Sequence, residues 1–162
     1  MKTKERMAKP VVVCHPENNL AEVAATMWQQ RCGALPVIDA EGRVLSMITD
    51  RDVAIALGTR NIRASEVLVQ DVAPPRVFTC QDHDDISIAL HTMVSQNVRR
   101  LPVVDDHAKL VGLISIDDFL LHAEPGKAGV LSLEALDALR TIIENRLRDR
   151  HPEHVEVLAT HA

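Results

Sequence analysis

The stretch GALPVIDAEGRVLSMITDRDV, residues 33–53, returns 66 positions later as RRLPVVDDHAKLVGLISIDDF. Aligned from Val11 to Ala56 against Val77 to His122, eleven of 46 positions are identical and no gap is needed. The identities include Cys14 with Cys80, Met27 with Met93, Leu35-Pro36-Val37 with Leu101-Pro102-Val103, Asp39 with Asp105, and Asp52 with Asp118. A chain that repeats itself must fold the same way twice. Two copies are too few for a solenoid, and units this small pack face to face, each burying what the other exposes.

The periods within one unit predict its elements. VVVC (11–14) and RVFTC (76–80) are short β-branched runs and read as strands. Leu20, Val23, Ala24 and Met27 fall at i, i+3, i+4, i+7, as do Ile86, Ala89, Leu90 and Met93, so a helix follows each strand, with Asn18 and Asp84 as expected N-caps. LPVID and LPVVD are second strands, and DAEGR and DDHAK are polar turns. VLSMI and LVGLI are third strands, apolar enough to be expected buried on both faces. Second helices begin at Thr49 and Ser115. The unit is β-α-β-β-α, and the fold class is α+β: two pseudo-symmetric repeats packed face to face, plus a C-terminal helix.

The connector GTRNIRASEVLVQDVAPPR is polar and then proline-rich, with one helical turn expected near Ser65–Asp71. ERMAKP, ahead of the first unit, stands at the same repeat offset as DVAPPR. The expected divisions are 1–64 for repeat 1, 65–124 for repeat 2, an amphipathic helix within 129–150, and a loosely ordered tail over 151–162. EPGKAG breaks the chain before that last helix, which is expected from about Leu131 to Arg148. Leu136, Leu139, Ile143 and Leu147 give it one apolar stripe, with Glu134 and Asp137 near its start and Arg146 and Arg148 near its end, as the helix dipole favours.

Composition excludes several functions. The net charge is −5 and aromatics are 2% of 162 residues, which argues against a nucleic-acid surface built on phosphate contacts and base stacking. No apolar run approaches a membrane span, and MKTKERMAKPVVVC lacks the apolar core of a signal peptide. Cys14, Cys32 and Cys80 are too scattered for a disulfide framework, so a cytoplasmic protein with reduced thiols is expected. The eight histidines include no pair at metal-ligand spacing on a helix face; His151 and His154 flank Pro152, and no metal is expected. No nucleophile elbow, P-loop or paired catalytic carboxylates are present, and an enzyme is not expected.

The order β-α-β-β-α, the LPVhD strand, the polar turn, the hydrophobic third strand and the closing T/S-x-x-D together resemble the CBS (cystathionine β-synthase) domain. Two in tandem resemble a Bateman module over roughly residues 5–123, similar to stand-alone bacterial members of the hypoxic-response and stress type. The resemblance implies a regulatory module that needs no cofactor. It implies an adenosine-containing ligand (AMP, ADP, ATP or S-adenosylmethionine) in the clefts between repeats, homodimerisation, and an unknown partner protein. A ligand-free interaction scaffold is the alternative.

The site residues follow from motif and resemblance together. Thr49–Asp52 and Ser115–Asp118 read equally as capping boxes and as nucleotide sites, where a hydroxyl and free amides meet phosphate and a carboxylate meets ribose. Arg99 and Arg100 stand directly before a strand, and arginine suits phosphate. Repeat 1 has Gly33 and Ala34 there, so Arg51 is its nearest charge. The resemblance makes Ser115, Asp118, Arg99 and Arg100, with Val12 and Gly33 against the purine, the stronger site. Thr49, Asp52 and Arg51, with Val77 and Thr79, form the second, where Ser46 in place of Gly112 is expected to narrow the approach to the ligand.

Overall fold

A computed structural model describes residues 1–121 and 130–148. The expected tail, His122 and the EPGKAG segment lie outside the described residues. Repeat 1 contains α1 (Leu20–Gln30), β1 (Ala34–Ile38), β2 (Val44–Thr49) and α2 (Asp50–Arg60). Repeat 2 contains β3 (Cys80–Gln81), α3 (Ile86–Ser95), β4 (Arg100–Val104), β5 (Leu110–Ser115) and α4 (Ile116–Leu121). α5 (Val130–Arg148) follows. β1 pairs antiparallel with β2, and β4 with β5, each with a register shift at the same repeat position.

The first strand of each unit is shorter than its sequence predicts. Of residues 11–14 only Cys14 pairs, bridging Val37 in parallel, and β3 is two residues long. The N-caps fall one residue later than expected. Asn19 Oδ1 accepts from Glu22 N at 3.0 Å, and Asp85 Oδ1 from Ser87 N at 3.1 Å. Asn18 and Asp84 instead accept the amides of His15 and Gln81, both at 2.8 Å, and close the turn that feeds the helix. Two adjacent Asx residues divide two jobs, and sequence alone does not say which takes which. Asp39 and Asp105 owe their recurrence to a hairpin turn: Asp105 Oδ1 accepts from His107 N and Lys109 N, both at 2.9 Å. The Lys109 amide foremost holds the Asp105 carboxyl below the usual carboxylate range.

The third strands are buried on one face only. Ser46 and Ile48 point inward on β2 and Gly112 and Ile114 on β5, while Leu45 is exposed. The pleat sends alternate residues outward, and the outer face lacks the helical cover that a doubly buried strand needs.

The two repeats meet through their hairpin turns. Leu110 N donates to Gly42 O at 2.9 Å, and its pseudo-equivalent, Val44 N to Ala108 O, spans 3.3 Å. The segment ahead of each unit is exchanged with the other one. Ile86 N donates to Met1 O and Thr3 N to Asp84 O; 66 positions on, Leu20 N donates to Val67 O and Val69 N to Asn18 O. Residues 1–8 thus finish repeat 2, and residues 67–74 finish repeat 1. Separate apolar cores result, one around Leu20, Leu35 and Ile48, the other around Met93, Leu101 and Ile114.

α5 breaks the pseudo-symmetry. It packs on α3 and α4 and places Ala135, Ala138 and Ile142 in the core of repeat 2. The stripe read from the sequence faces outward: Leu136, Ile143 and Leu147 are exposed and Leu139 is partly buried. The α3–α4 surface is already apolar and close-packed, so the small side chains of Ala135 and Ala138 let the helix approach where leucines would hold it away. Among the described residues, the matching surface on repeat 1 carries no such helix. Met27, Trp28, Cys32, Val53 and Ala54 line an open groove of about 980 Å³ there, and Trp28, the sole tryptophan, is 86% exposed.

Candidate ligand-binding site

Each strand-to-helix junction is built the same way. Thr49 N and Thr49 Oγ1 both donate to Asp52 Oδ2, at 2.8 and 2.6 Å, and Asp52 N donates to Thr49 Oγ1 at 3.3 Å. Ser115 N and Ser115 Oγ both donate to Asp118 Oδ2 at 2.7 Å. Asp replaces the usual Glu of a capping box, yet at Thr49 the reciprocal bonds form, and at both junctions Oδ2 sits close enough to take amide and hydroxyl together. In Asp52 the second oxygen, Oδ1, accepts no hydrogen bond among the described residues.

The sheet register sets what surrounds these carboxylates. Arg100 lies directly across from Ser115, and Ile116 N donates to Arg99 O at 3.0 Å, so Arg99, Arg100, Ser115 and Asp118 share one end of the β4–β5 hairpin. Ala34 lies across from Thr49, and Asp50 N donates to Gly33 O at 3.1 Å, which groups Gly33, Thr49, Arg51 and Asp52. A Cβ on Gly33 would stand 2.9 Å from Asp50 Oδ2. Val12 is half-buried against the core of repeat 1; Val77 and Thr79 are half-buried ahead of β3.

Two expected features lie elsewhere. Ser46 and Gly112 do not face open clefts. Ser46 Oγ donates to Pro74 O at 2.5 Å, and a Cβ on Gly112 would fall on the Met7 side chain. The exchanged connectors cover both positions. A cavity of about 600 Å³ does lie between the repeats, lined by Lys9, Val11, Val13 and Ile38 from one side and Leu110 and Val111 from the other. It is at the turn end of the hairpins. Five residue steps along β5 lead from Leu110 to Ser115, about 16 Å at the usual rise, so this cavity is distinct from the Ser115–Asp118 junction.

Sequence reasoning did not connect one further arginine with those of the two junctions. Arg146, in the last turn of α5, has its pKa held below the ordinary arginine value, first by desolvation and then by the charges of Arg99 and Arg51. Nothing in the repeat pointed to it, because α5 has no counterpart in the duplicated unit.

Cys14 and Cys80 are free and buried, each in a different core cluster. Burial pushes the Cys14 thiol up to about 11. Burial, with the nearby Asp84 charge, pushes Cys80 up to about 12. Both therefore stay protonated in the fold. The stability linked to them is complete below the ordinary thiol value of 9.0 and is lost as pH rises through 11 to 12. A thiol reagent at pH 8 should modify half-buried Cys32 first and the other two only after denaturant is added. Three fast thiols in the native protein would refute this placement.

The profile of the CBS domain matches residues 4–59 and again 69–124. The chain belongs to the CBS domain family. An uncharacterised protein of Methanopyrus kandleri is 28% identical over 117 residues, covering 72% of this chain and 59% of that one. The inosine-5′-monophosphate dehydrogenase of Mycobacterium tuberculosis is 34% identical over 114 residues, 70% of this chain but 21% of the enzyme. The chain therefore spans less than two thirds of these relatives.

Among solved structures, Hypoxic Response Protein I with two coordinated zinc ions superposes with a TM-score of 0.68 at 25% identity, covering 75% of this chain and 98% of that one. The CBS domain protein PAE2072 from Pyrobaculum aerophilum, complexed with AMP, gives 0.68 at 21%, covering 86% and 99%. The CBS domain pair of protein MJ0100, in complex with 5′-methylthioadenosine and S-adenosyl-L-methionine, gives 0.66 at 24%, covering 73% and 91%. α5 lies outside both CBS matches. Among the described residues no group of three or more His, Cys, Asp or Glu is placed to hold a metal, and no helix is long and apolar enough to cross a membrane.

Proposed function

We propose that this CBS pair is a regulatory module. It binds an adenosine-containing ligand (AMP, ADP, ATP or S-adenosylmethionine) beside the Ser115–Asp118 and Thr49–Asp52 junctions, and through that binding modulates a partner protein without chemistry of its own. The observation that carries the reading is the juxtaposition at the β4–β5 end. A carboxylate fixed by a hydroxyl and an amide stands beside Arg99 and Arg100, whose side chains make no hydrogen bond or ion pair among the described residues. Asp118 would take the ribose hydroxyls and the arginines the phosphate, with Val12 and Gly33 toward the base. Asp52, Thr49 and Arg51, with Val77 and Thr79, form the second, weaker place. The AMP and S-adenosylmethionine held by the structural relatives support this ligand class. A ligand regulates only by favouring one arrangement of the repeats or subunits over another.

A second copy of the chain is the partner surface we favour. The open groove beside Trp28 and the outward face of α5 are the two apolar surfaces such pairing would cover. The three free thiols suit a cytoplasmic setting.

Thermal melting with each ligand at millimolar concentration tests the ligand reading. Ligand at about 100 times its Kd adds roughly 2.7 kcal/mol, a shift of roughly 5–10 °C for a chain of this size. No shift with any adenosine compound would leave the interaction scaffold as the function.

A further inference from the structure

α5 rests on repeat 2 in a seat made by α3 and α4. Leu90, Met93 and Phe119 belong to the cluster that takes Ala135, Ala138 and Ile142, and Val94, Val98 and Leu120 pack against it. At the repeat offset of 66, these six correspond to Ala24, Met27, Val53, Trp28, Cys32 and Ala54. All six of those line the open groove of repeat 1. The groove is therefore the pseudo-equivalent of a helix seat, and among the described residues no helix fills it.

The two seats differ in the room they leave. Ala24 stands where repeat 2 has Leu90, Val53 where it has Phe119, and Ala54 where it has Leu120. Repeat 2 crowds its seat with large side chains and accepts the alanine face of a helix. Repeat 1 leaves space that only large side chains from a helix would fill. α5 carries such side chains. Leu133, Leu136, Ile143 and Leu147 are exposed, on the side of the helix away from Ala135, Ala138 and Ile142. With Arg140 between them they are spaced three and four residues apart, which keeps them in one row.

Charge agrees with the match. Arg31 and Asp50 line the groove, and Asp137, Arg140 and Glu144 lie in or beside the row, so each surface offers both signs to the other. The inner face of α5 holds it on its own repeat 2, which leaves the row to another chain. Pairing like with like would set one hollow against another and leave voids. A twofold axis that brings each row to the other chain's groove makes the same contact twice and leaves neither surface bare.

We propose that the Trp28 groove of one chain seats the outward row of α5 from a second copy, twice about one twofold axis. α5 then stands between repeat 2 of its own chain and repeat 1 of the other. The proposal rests on the second-copy reading above and names its contact.

Trp28 is the sole tryptophan and lines the groove, so its fluorescence reports whether the groove is filled. Mass by light scattering and quenching of Trp28 by acrylamide are followed over one dilution series of the full chain. The variants are Leu136→Glu in the row, Ala54→Glu in the groove, and Leu45→Glu as an exposed control outside both. All three positions are exposed, so the fold is retained. Wild type should show the mass of two chains with Trp28 protected, and should lose both together on dilution. Leu136→Glu and Ala54→Glu should each weaken the dimer about tenfold or more, the scale of one lost apolar contact, and expose Trp28. Leu45→Glu should change neither. Leu136→Glu mixed with Ala54→Glu should recover dimer mass and protect half of the tryptophans, because the mixed pair keeps one intact row-and-groove contact.

No recovery in the mixture would mean that row meets row and groove meets groove, and would overturn the proposal. A wild-type dimer with Trp28 open to quencher, or one that Leu136→Glu leaves intact, would overturn it too, while the second-copy reading stood. A wild-type mass of one chain throughout the series would sink both.

Discussion

Ile142→Ala should lower stability by about 3 kcal/mol and the melting temperature by roughly 6–12 °C. Ile142 is 0% exposed and lies in the same cluster as Met93, Leu101 and Phe119. Truncation leaves a cavity among side chains that relax only in part. Leu136, on the same helix but 52% exposed, gives the opposite pattern. Leu136→Glu should leave the melting temperature nearly unchanged, since a surface substitution on a helix is worth about 0.5 kcal/mol or less. It should, however, lower the mass seen by light scattering if α5 faces a second copy. The two faces of one helix are thereby assigned separately, one to the core and one to assembly. A melting temperature that fell equally in both variants would show that α5 does not pack as described, and an unchanged mass in Leu136→Glu would remove its outer face from the dimer contact. Deleting α5 altogether would confuse the two, because it strips Ala135, Ala138 and Ile142 from the core of repeat 2 at the same time.

Asp118→Ala should cost the adenosine ligand about 100-fold in affinity and abolish its thermal shift. Two hydrogen bonds from ribose hydroxyls to a carboxylate are lost, each to a charged acceptor worth about 1.5–3 kcal/mol. The same substitution also removes the acceptor of Ser115 N and Oγ, so the ligand-free protein should itself melt roughly 2–4 °C lower, the value of a lost cap of about 1 kcal/mol. Asp118→Asn separates the effects. Its amide oxygen still accepts from Ser115 N, so most of the fold stability returns, while the charge that attracts ribose hydroxyls does not. Asp52→Ala makes the same cut in repeat 1. Arg99 and Arg100 flank only the Asp118 junction, since Gly33 and Ala34 stand at their places in repeat 1, and Asp52→Ala should therefore weaken binding less. Ligand affinity unaffected by either aspartate substitution would move the site away from both junctions.

The duplication, the order of elements and the two T/S-x-x-D junctions were legible because they depend on local pattern. Alternation in LPVID and LPVVD, helical spacing from Leu20 to Met27 and from Ile86 to Met93, and an acidic residue three after a hydroxyl are short-range features, and the repeat states each of them twice. The N-caps were off by one where Asn18-Asn19 and Asp84-Asp85 offered two equivalent side chains. Expected burial of VLSMI and LVGLI on both faces failed because hydrophobic content does not reveal whether a helix covers the outer face.

What sequence by itself determined is the unit and its chemistry: one CBS repeat written twice, with arginines beside one junction and not the other. Tertiary structure alone decided how those units were completed. The exchange of residues 1–8 and 67–74 between repeats, the burial of Ser46 under Pro74 and of Gly112 under Met7, and the direction faced by α5 all depend on contacts between residues far apart in the chain. The stripe of Leu136, Ile143 and Leu147 stands out in the sequence because leucine and isoleucine carry the larger apolar surface, but it does not say whether it faces this chain or another. Close approach between helices selected Ala135 and Ala138 instead.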